Sequence, residues 1–445
     1  MKINITYTGP NPQRVHYVLG FIQGHPFVPR YVRLAMNDWS DSDIRIDYTA
    51  RDIPLELNEY YIPSQEQVFS TAKKSFTWQA NEYTFANRKL YSVEQIKAPN
   101  SVFIEERKFG FDIFETIFFH LTRHEEYYCD ASFKDQWDTM IEEHHFLVRN
   151  DLYQQPIVDN LVEALLLAIG LVPETFKSKL TITHDIDALR KFDNTKKSLR
   201  AFAGDVIRNK SLKSLAKIYS LYKDISAGNK KDPYDTFDQL FIKENHRKIV
   251  YFMAGGTSDN DEKYKVETEL FKSIVDLAKS RDYQIGIHPS YNSFDDYVMI
   301  TEERNKLQDA IGGKIRTSRQ HFLRFSFEET ITALSDSGIY EDSTLGYQHR
   351  VGYRCGTAFT FLLFDLRRDR NSKVSETPMI IMDGALLDQC KDDVAQANAL
   401  LMDFIERHKQ NSHLTINFHN TIFDPTRYNK EAMWKMYYSI IEKYN

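Results

Sequence analysis

The sequence predicts an α/β fold in which a parallel sheet, open or closed into a barrel, follows a smaller mixed α/β domain. Three observations lead there. After Leu171-Val-Pro173 the chain settles into short apolar runs at 180–183, 249–253, 284–287, 315–318, 339–340, 379–382 and 414–418, separated by long helical segments. A repeated strand-then-helix pattern is that of βαβ units. Before that boundary, short alternating pieces such as Ile44-Arg-Ile-Asp-Tyr48 and Val102-Phe-Ile104 sit between turn signals. Third, residues suited to metal and proton chemistry recur where the later runs end, and right-handed crossovers put those ends on one face. The expected segments are a small mixed α/β domain over 1–110, a helical connector over 111–174 and the parallel α/β domain over 175–445.

With 445 residues, 42% of them hydrophobic and 13% aromatic, the chain has material for two or three cores. A formal charge of -6 and a pI near 6.2 leave no electrostatic footprint for nucleic acid or an anionic membrane. The opening Met1-Lys-Ile-Asn-Ile-Thr-Tyr-Thr alternates like a strand and lacks the apolar core of a signal peptide. The longest apolar run, 164–172, falls short of the roughly 20 residues a membrane helix needs. Cys129, Cys355 and Cys390 are too few and scattered for a disulfide framework or a cysteine metal site. A cytoplasmic protein with no membrane span is expected.

From Phe111 apolar residues recur at intervals of three and four, which predicts a helix through Glu126 and a second over 157–169. His120 and His124 lie four apart beside Glu125, but the motif is not His-Glu-x-x-His. Their expected role, like that of His144-His145, is packing against a neighbouring domain. The stretch 191–231 carries nine lysines and no chemical motif; it reads as a solvated helical surface, with a lid as the lesser alternative.

The chemistry centres on Lys179-Leu-Thr-Ile-Thr-His-Asp-Ile-Asp187. A strand there ends in His184, Asp185 and Asp187, and period-two geometry sets the two carboxylates side by side. One can hold a metal ion while the other takes a proton from the water that the metal acidifies. The plainer alternative is that Asp187 caps a helix. His288 precedes Pro289 at a strand end, and His321 lies between Arg319 and Arg324, cations that favour the neutral imidazole ligation requires. His419 closes the last apolar run and can give a proton to a leaving group. Asp342 and Arg354 lie in glycine-containing loops, where Arg354 offers a fork for a carboxylate. Cys355 has no base beside it and is not read as a nucleophile.

These residues occur in a familiar order: Thr183-His-Asp-Ile-Asp187, Gly286-Ile-His-Pro-Ser-Tyr291, Arg319-Gln-His-Phe-Leu-Arg324, Asp342-Ser-Thr-Leu-Gly-Tyr347 with Tyr353-Arg-Cys-Gly-Thr357, and Ile416-Asn-Phe-His419. Over residues 175 to 445 the chain resembles the polysaccharide deacetylases, the NodB-homology carbohydrate esterases, in the bacterial branch with an additional N-terminal domain. The resemblance implies a distorted (β/α) barrel of seven or eight strands, a divalent metal that is commonly zinc, and hydrolysis of N-acetyl or O-acetyl groups on a sugar or polysaccharide precursor. It implies Asp185 as general base, Asp187 and His288 as metal ligands and His419 as general acid. Arg324 answers in part to a further catalytic arginine, and Tyr291, Arg354 and Asp342 are expected to bind substrate. One position departs from the pattern. The second histidine of the metal motif falls on Asn292, so the third ligand is His321, or Asn292 with water on a harder ion, or the metal has been lost. The corresponding alternatives are a metal-free carbohydrate-binding protein and a metal-dependent hydrolase of a non-sugar amide.

Overall fold

In the computed structural model, which describes residues 1–51, 54–69, 78–97, 101–192, 202–203, 212–261 and 264–444, the N-terminal alternation forms nine short strands. Lys2–Tyr7 (β1), Arg33–Met36 (β2), Ile44–Thr49 (β3), Glu59–Pro63 (β4), Ile104–Glu105 (β8) and Lys108–Phe109 (β9) make a sheet of order β2-β1-β3-β4-β9-β8. Gln79–Phe85 (β5), Arg88–Glu94 (β6) and Ser101–Val102 (β7) make a second, of order β6-β5-β7. The β5–β6 hairpin turns through Ala86 and Asn87, both at positive φ (48° and 63°), the geometry that matches the twist of a two-residue hairpin.

The C-terminal sheet has nine strands: Lys179–Ile186 (β10), Arg247–Phe252 (β11), Gln284–Ile287 (β12), Thr317–Ser318 (β13), Glu341–Asp342 (β14), Phe361–Asp365 (β15), Arg370–Glu376 (β16), Ile381–Met382 (β17) and His413–Asn417 (β18). Their order is β15-β16-β14-β13-β12-β11-β10-β18-β17, and every neighbouring pair is parallel except β15–β16. The chain is thus an α/β protein whose sheets are mixed and mostly parallel. Each expected strand has its counterpart, the fifth shifted from 339–340 to 341–342. The β15–β16 hairpin was not expected, because β16 reads Arg-Asn-Ser-Lys-Val-Ser-Glu and buries only Val374 and Glu376.

The sheet is strongly curled. β13 and β10 are separated by two strands, roughly 14 Å on a flat sheet, yet Arg319, just past β13, donates to Thr183 Oγ1 on β10 at 2.7 Å. Along β10 the interior face carries Thr181, Thr183 and Asp185. The outer face carries Leu180, Ile182 and His184, whose imidazole meets the Tyr283 and Tyr437 hydroxyls at 3.3 Å. Helices Glu269–Ser280, Tyr297–Ile311, Val394–His408 and Lys430–Tyr444 cover that outer side. Their starts follow from the sequence, since Asp296 and Asp393 accept hydrogen bonds from the first turns as N-caps. Of the lysine-rich stretch, 193–201 and 204–211 lie outside the described residues; the helix Leu212–Ser226 follows, largely exposed over 216–226. No described helix is long and apolar enough to cross a membrane.

The helix Ile113–Leu121 is buried on every face, as a helix apolar all round must be. It joins the two sheets: Phe118 meets Phe364 of β15 at 5.2 Å and Trp78 meets Phe119 at 5.2 Å. His120 and His124 are part of this packing, against Phe146 and against Trp78 and Tyr128. Burial pushes both imidazoles down to about 3, so both are neutral. Beyond the helix, Arg123 donates to Glu126 at 2.6 Å and to Glu125 at 2.8 Å. Arg354, in the loop before β15, donates to Glu126 at 2.5 and 3.1 Å and to the Gly346 carbonyl at 3.0 Å. Burial opposes ionisation of Glu126, but Arg354 and Arg123 outweigh it and hold the carboxyl far below the usual range. Two guanidiniums on one buried carboxylate satisfy what neither segment could satisfy alone.

Glu126→Gln leaves the two guanidiniums short of their counter-charge and is expected to cost about 3–5 kcal/mol in denaturant unfolding at pH 7. Because the folded-state carboxyl is depressed, its contribution is present above the ordinary Glu value and lost as pH falls below it. The gap between wild type and Glu126→Gln therefore narrows below pH ~4.

Candidate metal centre and active site

Because the strands that build the site are parallel, their C-terminal ends meet on one face. β10 delivers Asp185 and Asp187, β12 delivers His288, β13 delivers Arg319 and His321, β17 delivers Asp383 and β18 delivers Asn417 and His419. One Asp187 oxygen, one nitrogen of His288 and one of His321 lie within 4.8 Å of one another. His288 Nε2 stands 3.4 Å and His321 Nε2 3.9 Å from Asp187 Oδ1, a buried oxygen with no hydrogen-bond partner. On each ring the far nitrogen is occupied. His288 Nδ1 is 2.6 Å from the Arg319 carbonyl, to which it must donate, and His321 Nδ1 is 3.2 Å from Asp261 Oδ1. Both contacts turn an Nε2 lone pair toward Asp187, the way outer-shell acceptors orient metal-ligating imidazoles. These three residues could hold a metal ion, and the orphaned carboxylate oxygen between two oriented imidazoles fits one.

The charge of the site points the same way. Burial opposes protonation of His288, yet Asp185 and Asp187 overcome it and raise its pKa. Burial likewise opposes ionisation of Asp187, and the contact with His288, reinforced by His419 and His321, holds the carboxyl well below its ordinary value. The pocket draws positive charge toward Asp187.

Asp185 is held from both sides. Its Oδ1 accepts from Arg319 Nη1 at 3.1 Å and its Oδ2 from Asn417 Nδ2 at 2.9 Å. Burial raises its pKa, but Arg319, then His288 and His419, more than offset this and leave it lowered. His419 Nε2 lies 3.8 Å from Asp185 Oδ2 and 3.9 Å from Asp187 Oδ2. Its Nδ1 is 2.7 Å from Asp383 Oδ1, and its backbone N–H donates to Asp383 Oδ2 at 2.7 Å. Burial disfavours the imidazolium, but Asp383, Asp187 and Asp185 prevail and raise the pKa to about 10. The imidazolium form of His419 is thus favoured beside the Asp185 carboxylate.

The other expected residues are placed differently. Asn292 is exposed and its side-chain amide donates to Thr257 Oγ1 at 3.3 Å. The guanidinium on Asp185 belongs to Arg319, not to Arg324 or Arg354. Arg324 lies over Tyr291 and Phe294 at 4.2 and 4.0 Å and donates to the Tyr291 carbonyl. Arg354 is buried against Glu126. Asp342 is sealed inside the sheet, bonded to Ser318 and Thr344, with its carboxyl raised first by burial. Tyr291 is largely buried, its N–H donating to Asp261 at 2.8 Å. Cys355 is buried and its thiol is pushed up to about 12 by that burial, so it is no nucleophile. Sequence reasoning gave Asp261 and Asn417 no place in the site, marked Asp383 only as a residue at a strand end, and credited Arg319 only with keeping His321 neutral. Asp383 and Asn417 had a signal, a polar residue at a strand end; Asp261 lies in a long loop after β11 and had none.

A family model described as a family of unknown function (DUF7033) matches residues 4–171. No curated protein matches the chain. Among solved structures, the chain is similar to a Mycobacterium smegmatis protein assigned as a polysaccharide deacetylase, at 13% identity and a TM-score of 0.35, over 60% of this chain and 85% of that one. It is also similar to a GH57 branching enzyme from the hyperthermophilic archaeon Thermococcus kodakaraensis, at 8% identity and a TM-score of 0.27, over 59% and 67% of the two chains.

If Asp261 orients His321, Asp261→Ala is expected to weaken zinc binding by about 10–100-fold in a chelator competition. Asn292→Ala is expected to leave it unchanged. An equal loss in both variants would restore Asn292 as a ligand.

Proposed function

We propose that the chain is a metal-dependent deacetylase that hydrolyses N-acetyl or O-acetyl groups of a sugar or polysaccharide precursor, on a curled sheet that serves as a distorted (β/α) barrel. The observation that carries this reading is the convergence of Asp185, Asp187, His288, His321 and His419 at the strand ends, in the order the sequence motifs require. Two imidazoles and one carboxylate are a donor set suited to zinc. Held by Asp187, His288 and His321, the ion would supply Lewis-acid polarisation of the acyl carbonyl and acidify water.

The chain's own groups do the proton work. Asp185, ionised and fixed by Arg319 and Asn417, accepts a proton from the attacking water. Water oxygen bonds to the acetyl carbon, and the carbon–nitrogen or carbon–oxygen bond then breaks. His419, protonated at Nε2 and held at Nδ1 by Asp383, gives its proton to the departing amine or alcohol, leaving acetate and the free sugar. Base and acid stand 3.8 Å apart at the same strand ends, so that both can serve one displacement through a tetrahedral stage.

Asp185→Asn is expected to lower kcat on an N-acetylated sugar by about 10²–10⁴-fold, and a chelator to abolish activity that zinc restores. Full activity of Asp185→Asn, or metal-free protein that still turns over, would sink the reading. His419→Ala should lose a similar factor on the amide but much less on p-nitrophenyl acetate, whose leaving group needs no proton. Equal losses on both would remove His419 from the acid role.

A further inference from the structure

Next to the turn that follows His321 lies a cavity of about 360 Å³ that no step of the proposed reaction uses. One wall belongs to the C-terminal domain, through Tyr291, Phe322 and Leu323; the other is the connector loop around Trp137. The loop is clamped in place. Glu142 accepts from the backbone N–H groups of Gln348 and His349 and from Arg350 Nε, and Glu143 accepts from Arg350 Nη2 at 2.7 Å. Within the loop, Asp135 accepts from the N–H groups of Trp137 and Thr139 at 2.8 and 3.1 Å. So anchored, it leaves the Trp137 ring 51% exposed, facing a cavity whose far wall carries Phe322, 48% exposed.

Phe322 is where it is because of the backbone. Phe322 and Leu323 hold φ of 59° and 51°, a left-handed region that bulky residues avoid, and strain of this kind collects at functional sites. The turn sends His321 inward and Phe322 outward, with the two rings 4.6 Å apart. The cavity therefore begins one residue from a candidate metal ligand. The charged and titratable groups on its walls are already engaged: Asp135 by the N–H groups of Trp137 and Thr139, Glu142 and Glu143 by Arg350, His145 by Arg123 and the Met140 carbonyl, Arg354 by Glu126, His349 by Asp388, and Arg324 by the rings of Tyr291 and Phe294. What is left is flat apolar surface with the amides of Asn260 and Gln348 at its margin. That combination suits the C–H face and hydroxyl rim of an uncharged pyranose ring.

We infer that this cavity seats a neutral glycosyl unit joined to the acetylated sugar, so that the enzyme prefers acetylated oligosaccharides to monosaccharides and the connector supplies Trp137 as a recognition surface. The inference rests on the deacetylase reading and gives the module before the barrel a share in substrate selection.

The test compares kcat/KM of the full chain on N-acetylglucosamine and on its β-1,4-linked and β-1,6-linked trimers. A trimer is expected to be preferred, and Trp137→Ala to reduce its kcat/KM by roughly tenfold or more while the monosaccharide and p-nitrophenyl acetate stay within about twofold. Wild-type enzyme that handles monosaccharide and trimers alike, or a Trp137→Ala variant with unchanged trimer kinetics, overturns the inference and leaves the deacetylase reading standing. If wild type hydrolyses none of these sugars, the deacetylase reading fails, and the cavity is then read by binding. A saturable change in tryptophan fluorescence with a trimer, lost in Trp137→Phe, supports the subsite; no saturable change overturns it. Tighter binding of a uronic-acid oligosaccharide than of the neutral trimers overturns the assignment of a neutral occupant.

Discussion

The rest of the site depends on one buried cation. Arg319 carries a full charge in a position with no solvent exposure, which is tolerable only if its donors are met by well-placed acceptors. They are met by Thr183 and Asp185 on β10 and by the carbonyl and hydroxyl of Ser343 beyond β14, with Tyr251 of β11 beneath the guanidinium at 4.8 Å. One side chain thus draws together strands that a flat sheet would keep apart. It also keeps Asp185 ionised, and its own carbonyl fixes which nitrogen of His288 faces Asp187. The curvature of the sheet, the charge of Asp185 and the orientation of His288 share a single cause.

Much of this was legible in the sequence, for a physical reason. Asp185, Asp187, His288, His321 and His419 stood out because each is an ionisable residue at the end of an apolar run, where burial without purpose is costly. Strand positions were legible through the same apolar runs. The supports were harder to see. Arg319 was visible, but its reach to Asp185 depends on how far the sheet curls, which no local pattern encodes. Asp261 comes to His321 only through the folded loop after β11. Arg354 read as a ligand fork because its loop is glycine-rich, while its partner Glu126 lies more than two hundred residues earlier. β16 was silent because it is almost wholly polar, with only Val374 and Glu376 buried.

The N-terminal module is held by polar bonds as much as by packing. Arg14 pairs with Asp369 at 2.6 Å, Tyr17 donates to the Leu362 carbonyl at 2.8 Å, and Asp159 accepts from Thr357 Oγ1 and Ala358 N at 2.5 and 2.9 Å. All three contacts reach the hairpin β15–β16 or the loop before it. The hairpin that sequence patterning missed is thus the part of the C-terminal sheet that receives the N-terminal segment.

The alternation along β10 has a consequence for how this protein can vary. His184 belongs to the helix side and Asp185 to the interior, one residue apart on a strand buried on both faces. A single-residue insertion or deletion upstream within β10 would exchange them, handing the interior an imidazole and pushing a carboxylate among Tyr283 and Tyr437. No gradual route connects the two registers. The length of this strand is therefore frozen, while the loop that follows β11, which has only to bring Asp261 to His321, is freer to change in length.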